Sequence, residues 1–165
     1  MDRLWSPWRL AYVTAAQHPP IACIFCHAAA SAEADLVLLR GQHCFVILNL
    51  YPYNNGHLMV APNRHINTLT SLVPEEQAEL MVMARWAEMA LTEAYHPQGI
   101  NVGINLGKAA GAGIEDHLHV HLVPRWAGDT NFMTAVADTR VLPEALEQTA
   151  ARLRPIFATL AAAHA

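Results

Sequence analysis

The sequence predicts an α+β fold, an antiparallel sheet of about five strands with a central helix and a C-terminal helix set apart from it. Three observations carry that reading. Short apolar runs bounded by turn residues recur between Asp35 and Pro62 and again between Ile100 and Pro124. A single long stretch from Pro74 to about Tyr95 carries apolar residues at helical spacing. The length, 165 residues, suits one domain with a sizeable core, here taken as residues 1–165.

The elements follow in order. Leu4-Trp5-Ser6-Pro7-Trp8-Arg9 holds two of the four tryptophans and reads as a short helix or a clip, within residues 1–20, laid over the body. Asp35 to Leu39 and His43 to Asn49 read as paired strands, with Arg40-Gly41-Gln42 as their turn. The segment Leu50 to Gly56 is dense in turn residues, and His57 to Pro62 follows as a third strand. Pro74-Glu75-Glu76 opens the clearest helix, because proline suits the first helical position and acids suit the positive end of the dipole. Leu80, Ala84, Ala87, Leu91 and Ala94 form its stripe, which reads as core, and Pro97-Gln98-Gly99 closes it. Ile100 to Leu106 and Asp116 to Pro124 are the fourth and fifth strands, separated by the small-residue loop Gly107 to Gly113. A last helix spans about 143–162, with Pro155 expected to kink or break it.

Composition excludes several function classes. Hydrophobic residues make up 53% and charged residues 15%, which argues against disorder. The formal charge of -4 leaves no broad basic field to grip a nucleic acid, so no nucleic-acid partner is expected. Met1-Asp2-Arg3-Leu4-Trp5 lacks the pattern of a signal peptide, and no apolar run is long enough to span a bilayer. The expectation is a soluble, cytoplasmic protein with no membrane partner. Its three cysteines, an odd count, argue against a disulfide framework. Cys44 lies in an apolar run and reads as a buried, inert thiol.

The chemistry concentrates in His117-Leu118-His119-Val120-His121-Leu122-Val123. On a strand, alternate side chains share a face, so three imidazoles line one side and Leu118, Val120 and Leu122 face a core. Imidazole titrates near neutral pH, acts as a nucleophile and binds metals. Gly107, Gly111 and Gly113 stand just before this stripe and could offer backbone N–H groups to an anion. Cys23-Ile24-Phe25-Cys26 has the spacing of a metal knuckle, a redox dithiol or a packed reduced pair. No thioredoxin-like pattern surrounds it, which disfavours redox. Trp126, just past the stripe, reads as core or interface packing before base stacking.

The His-φ-His-φ-His-φ-φ stripe resembles the signature of the histidine-triad (HIT) nucleotide hydrolases and transferases. Asn49 to Val60 resembles that family's strand-turn-strand segment. Val123-Pro124-Arg125-Trp126, Gly128 to Met133 and the opening Leu4 to Arg9 resemble the branch of the diadenosine tetraphosphate phosphorylases. The resemblance covers Leu4 to about Leu146 and implies a HIT-like fold. It implies His119 as a nucleophile forming a nucleotidyl-histidine, His121 as its phosphate-binding neighbour and His57 as an α-phosphate ligand. It further implies Asn49 near a ribose, Asn105 near phosphate, and Gly111 and Gly113 as backbone donors to nonbridging oxygens.

The same resemblance implies a closed, structural zinc site of Cys23, Cys26, His65 and His117, with no organic cofactor, and a homodimer joined through the central helix and sheet edge. His27 stands as a substitute ligand, and His18, His43, His96 and His164 as solvated residues. Ile114 occupies a position where many family members carry a hydroxyl near the leaving group. That favours a polyphosphate leaving group, which departs as a stable anion. The expected reaction is phosphorolysis or hydrolysis of a dinucleoside polyphosphate. The alternatives are a nucleoside phosphoramidase, a non-catalytic zinc-stabilised nucleotide-binding module, and a hydrolase with catalytic zinc, which needs an open coordination position.

Overall fold

The computed structural model describes residues 23–31, 34–129 and 144–163. The expected N-terminal clip, residues 130–133, His18 and His164 lie outside them. The elements are α1 (Ile24–Ala30), β1 (Val37–Arg40), β2 (Cys44–Leu48), β3 (Leu58–Pro62), α2 (Pro74–Tyr95), β4 (Gly99–Ile104), β5 (Val120–Arg125) and α3 (Leu146–Ala163). The five strands form one antiparallel sheet in the order β1-β2-β3-β5-β4. The last strand therefore inserts between β3 and β4, and this places His121 opposite Met59 on one side and Gly103 on the other.

The two sheet faces have different covers. On one, Cys44, Val46, Leu48, Leu58, Val60, Val120 and Leu122 pack against Leu80, Met83, Ala84, Ala87, Ala90 and Leu91 of α2 and Ala150, Leu153 and Phe157 of α3. This is the main core; each fully buried Leu or Phe contributes about 1.5–3 kcal/mol. On the other, Phe45, Ile47, Met59 and Ala61 pack against Phe25 and Ala28 of α1. Cover on both faces explains why β2 and β3 are buried at every position and carry apolar runs without alternation. The short α1 covers only the β1-β2-β3 half of its face. Edge strand β4 stays mostly exposed.

Two expectations change in part, and one element is additional to those the sequence predicts. The fifth strand begins at Val120, not Asp116. The reason is at the end of β3: the Pro62 carbonyl accepts from the His117 ring, and the Leu118 N–H goes to Ile66 O outside the ladder. Of the kink or break expected at Pro155, the break does not occur: α3 runs through it as one helix. Its ring sits on the exposed side, while Leu153 and Phe157 hold the opposite side in the core. Finally, α1 arises inside the cysteine knuckle, too short for a periodicity signal.

Two acids on α2 tie the helix to the sheet and its approaches. Glu79 accepts the backbone N–H groups of Gln42, His43 and Cys44 across the β1–β2 turn. Glu76 accepts the Val73 N–H at 3.0 Å and pairs with Arg64 at 2.8 Å. Valine has no side-chain acceptor to complete a reciprocal capping box, so Glu76 alone closes this helix start.

The Arg64 guanidinium, with the Val73 N–H, holds the Glu76 carboxyl down to about 2. A folded value depressed below the unfolded one, about 4.3, stabilises above that pH, and the gain disappears as pH falls towards 2. Thermal melts should therefore show Glu76→Gln clearly less stable than the parent at pH 7, with the gap narrowing at pH 3. A gap independent of pH would refute the linkage.

Candidate active site and metal centre

A row of rings runs from α1 towards the half of the sheet face that α1 leaves open. Phe25 lies 5.1 Å from His117 and 4.8 Å from His119, between ring centroids; His119 and His121 meet edge-on at 4.7 Å. His57 follows, 5.1 Å from His121, and Tyr53 caps it at 4.6 Å. His57, His117 and His119 are buried, and His121 is half-buried. The three triad histidines do share a face, but their nitrogens point to different partners.

Backbone groups of fixed polarity assign each tautomer. The Pro62 carbonyl can only accept, so His117 donates to it from Nε2 at 2.9 Å and keeps a lone pair on Nδ1. The His117 carbonyl takes the Nδ1 proton of His119 at 2.8 Å, leaving a lone pair on His119 Nε2. The Tyr53 N–H can only donate, so His57 Nδ1 accepts it, at 3.1 Å. His57 Nε2 then donates to His121 Nδ1 at 2.9 Å, and His121 carries its proton on Nε2. A basic nitrogen and an N–H donor thus stand on adjacent rings.

Burial keeps these rings neutral. It pushes His57 down to about 3, with the His121 and His119 rings adding to the effect. Burial and then His119 lower His121 to about 4. Burial also lowers His119, against the opposing hydrogen bond to the His117 carbonyl.

The end of the row meets the cysteines. His117 Nδ1 lies 3.3 Å from Cys23 Sγ and 3.6 Å from Cys26 Sγ, and His65 Nδ1 lies 3.2 Å from Cys26 Sγ. Cys23, Cys26, His65 and His117 present ligand atoms all within 4.8 Å of one another. A tetrahedral zinc with Zn–S of about 2.3 Å and Zn–N of about 2.05 Å has S···N edges of roughly 3.5 Å, so the donor set fits that ion. Burial first, then the Cys23 thiol, pushes the Cys26 thiol up, a penalty that a bound cation offsets. His27 is exposed and outside the cluster. The four expected ligands therefore form a possible metal site.

The other expected residues divide. Asn49 donates from Nδ2 to His57 Nδ1 at 3.2 Å and accepts the Tyr51 N–H on Oδ1 at 3.0 Å. Asn105 lines a cavity of about 270 Å³ with His121. Gly111 has φ 87 and donates its N–H to Lys108 O at 2.9 Å, so that donor closes its own turn. Gly113 lies exposed in the same loop. Ile114 packs against the Phe25 cluster. Trp126 meets Tyr95 edge-on at 6.5 Å, the packing role expected of it, and Cys44 is fully buried, its thiol pushed up to about 12. Sequence reasoning passed over Phe25 and Tyr53. Phe25 had a signal in its place between two candidate ligands; Tyr53 had none beyond its turn.

Gly56 places His57. It has φ 75, and a Cβ there would come 3.0 Å from Leu91 Cδ2 and 3.1 Å from Tyr95 Cε2. Gly56→Ala should cost about 1–2 kcal/mol from the left-handed backbone alone, read as a lower urea midpoint. An unchanged midpoint would show that the turn relaxes freely.

A family model described as HIT domain matches residues 31–128. The AP-4-A phosphorylase of Mycobacterium tuberculosis is 41% identical over 160 residues, covering 90% of this chain and 80% of that protein. The bis(5'-adenosyl)-triphosphatase of Dictyostelium discoideum is 31% identical over 120 residues, covering 68% and 79%. The crystal structure of a Zn-bound histidine triad family protein from Mycobacterium smegmatis is 30% identical, with a TM-score of 0.70, covering 87% of this chain and 98% of that one.

Proposed function

From the premise that this chain belongs to the HIT family, we propose that it cleaves dinucleoside polyphosphates such as diadenosine tetraphosphate through a nucleotidyl-His119 intermediate. The observation that carries the reading is the tautomer order: a free lone pair on His119 Nε2 beside an N–H on His121 Nε2. His119 Nε2 forms the bond to the α-phosphorus. The bond from that phosphorus to its bridging oxygen breaks, and the oxygen leaves with the electron pair on a nucleoside triphosphate. His121 donates a hydrogen bond to phosphate oxygens, while His57, through His121, fixes which nitrogen carries the proton. Two displacements replace one difficult step. The second acceptor is inorganic phosphate, giving ADP; the relative at 41% identity, named a phosphorylase, supports this choice over water, which gives AMP. Ile114 supplies no hydroxyl, in keeping with a polyphosphate leaving group in place of a phosphoramidate amine.

Cys23, Cys26, His65 and His117 would hold a structural zinc, tying α1 to the start of the triad strand. The Zn-bound relative and the donor spacing support it. Four protein ligands leave no open position, so the metal takes no part in the displacement. A homodimer fits the exposed Met81, Val82 and Met89 on α2 and Val102 on the open edge β4. Among the described residues no helix is long and apolar enough to cross a membrane. Three cysteines, none in a disulfide, suit a reducing compartment, the cytoplasm.

Incubation with diadenosine tetraphosphate and phosphate should yield ATP and ADP; AMP in place of ADP would assign water as acceptor. His119→Ala should lower turnover by at least about 10³-fold with an unchanged melting curve, and retained activity would sink the mechanism. Protein purified without chelators should contain about one zinc per chain, lost in Cys26→Ser together with thermal stability. A metal-free parent protein of full stability would remove the site.

A further inference from the structure

We propose that the groove beside His121 binds the nucleoside of the leaving half of the substrate, with its base stacked on Tyr53. The inference rests on the nucleotidyl-transfer reading and gives that reaction a reason to prefer a dinucleotide. The groove has a volume of about 270 Å³ and is lined by Tyr53, Asn101, Val102, Gly103, Asn105, Val123 and Arg125 together with His121.

Its shape follows from a period-two pattern in β4 and the residue after it. Gly99, Asn101, Gly103 and Asn105 alternate with Ile100, Val102 and Ile104. Ile100 and Ile104 pack on the helix-covered core. The alternate positions, which share a face with His121, are glycine and asparagine, while the exposed Val102 also borders the groove. Gly103 pairs directly with His121, and a Cβ there would meet nothing within 4 Å. The missing side chain leaves floor space next to the ring that faces the scissile bond. Tyr53 forms the wall: its ring is half exposed and lies 5.9 Å from the His121 centroid at an interplanar angle of 31°.

The chemistry of the walls selects the occupant. Arg125 is already spent, donating to Asp129 at 2.6 and 2.9 Å and to Asn101 Oδ1 at 2.9 Å. With its charge matched by Asp129, the groove has little to offer a bare polyphosphate. An aromatic face and asparagine amides suit a base and ribose hydroxyls. His121 contacts His119 on one side and pairs with Gly103 on the other, so a chain of phosphates running from His119 across His121 delivers its far nucleoside here.

The test compares diadenosine tetraphosphate with adenosine 5'-tetraphosphate, which keeps the phosphate chain and lacks only the second nucleoside. The parent protein should favour the dinucleotide in kcat/KM by about five- to hundredfold, the range expected of base–aromatic stacking. Gly103→Val fills the floor at a strand position with no positive φ, where a β-branched residue is well tolerated. Tyr53→Leu removes the ring and keeps the backbone N–H to His57. Each should bring the ratio close to one. Equal loss on both substrates, or an undiminished ratio, would overturn the proposal. Titration of both ligands into His119→Ala protein gives the same comparison without turnover. A dinucleotide preference there that Gly103→Val abolishes would keep the groove even if the parent cleaved neither substrate, a result that would fell only the nucleotidyl-transfer reading. Equal affinity for the two ligands in His119→Ala protein that retains Gly103 would overturn the groove itself.

Discussion

The hydrogen bond from His117 Nε2 to the Pro62 carbonyl is the constraint on which the site depends. It takes up the last acceptor of β3 with a side chain, so the ladder to β5 starts only at Val120. It also turns the Nδ1 lone pair of His117 towards Cys23 and Cys26. The carbonyl of the same residue then sets the tautomer of His119. One residue thereby links the possible metal site, the strand register and the His119 ring, and it does so with groups whose donor and acceptor roles cannot exchange.

Half-coverage of a sheet face gives the site its electrical character. α1 places Phe25 against both His117 and His119, which removes water from one flank of the row. Burial then disfavours protonation of His57, His119 and His121, and neighbouring rings reinforce it at His57 and His121. Neutral imidazoles are what nucleophilic attack requires. Because α1 stops after two turns, the β5–β4 half of the same face stays open, and the buried His119 ring and the exposed groove adjoin at His121.

The second anchor is the polarity of α2. Glu76 and Glu79, one turn apart, serve the helix start with Arg64 and the β1–β2 turn amides. Gly41 admits this contact, because a Cβ there would collide with Met83 and Glu79. The helix behind the sheet therefore fixes the strand turn, while Leu91 and Tyr95 crowd Gly56 and hold the loop that delivers His57.

Much was legible in the sequence. Alternation in 117–123 put three histidines on one face; the Pro74 helix, the sheet class and the candidate zinc ligands followed from spacing, composition or family resemblance. These are local properties, written within a few residues, or motifs carried whole. What each ring does was not legible. His57 meets His121 across 64 residues, and His117 meets Cys23 across 94. Such pairs exist only because β5 inserts between β3 and β4, an order that periodicity cannot specify. The sequence by itself determined which residues could perform chemistry and on which face they stand. The tertiary structure decided which nitrogen is free on each ring, because a tautomer is set by its hydrogen-bond partner and those partners come from distant strands.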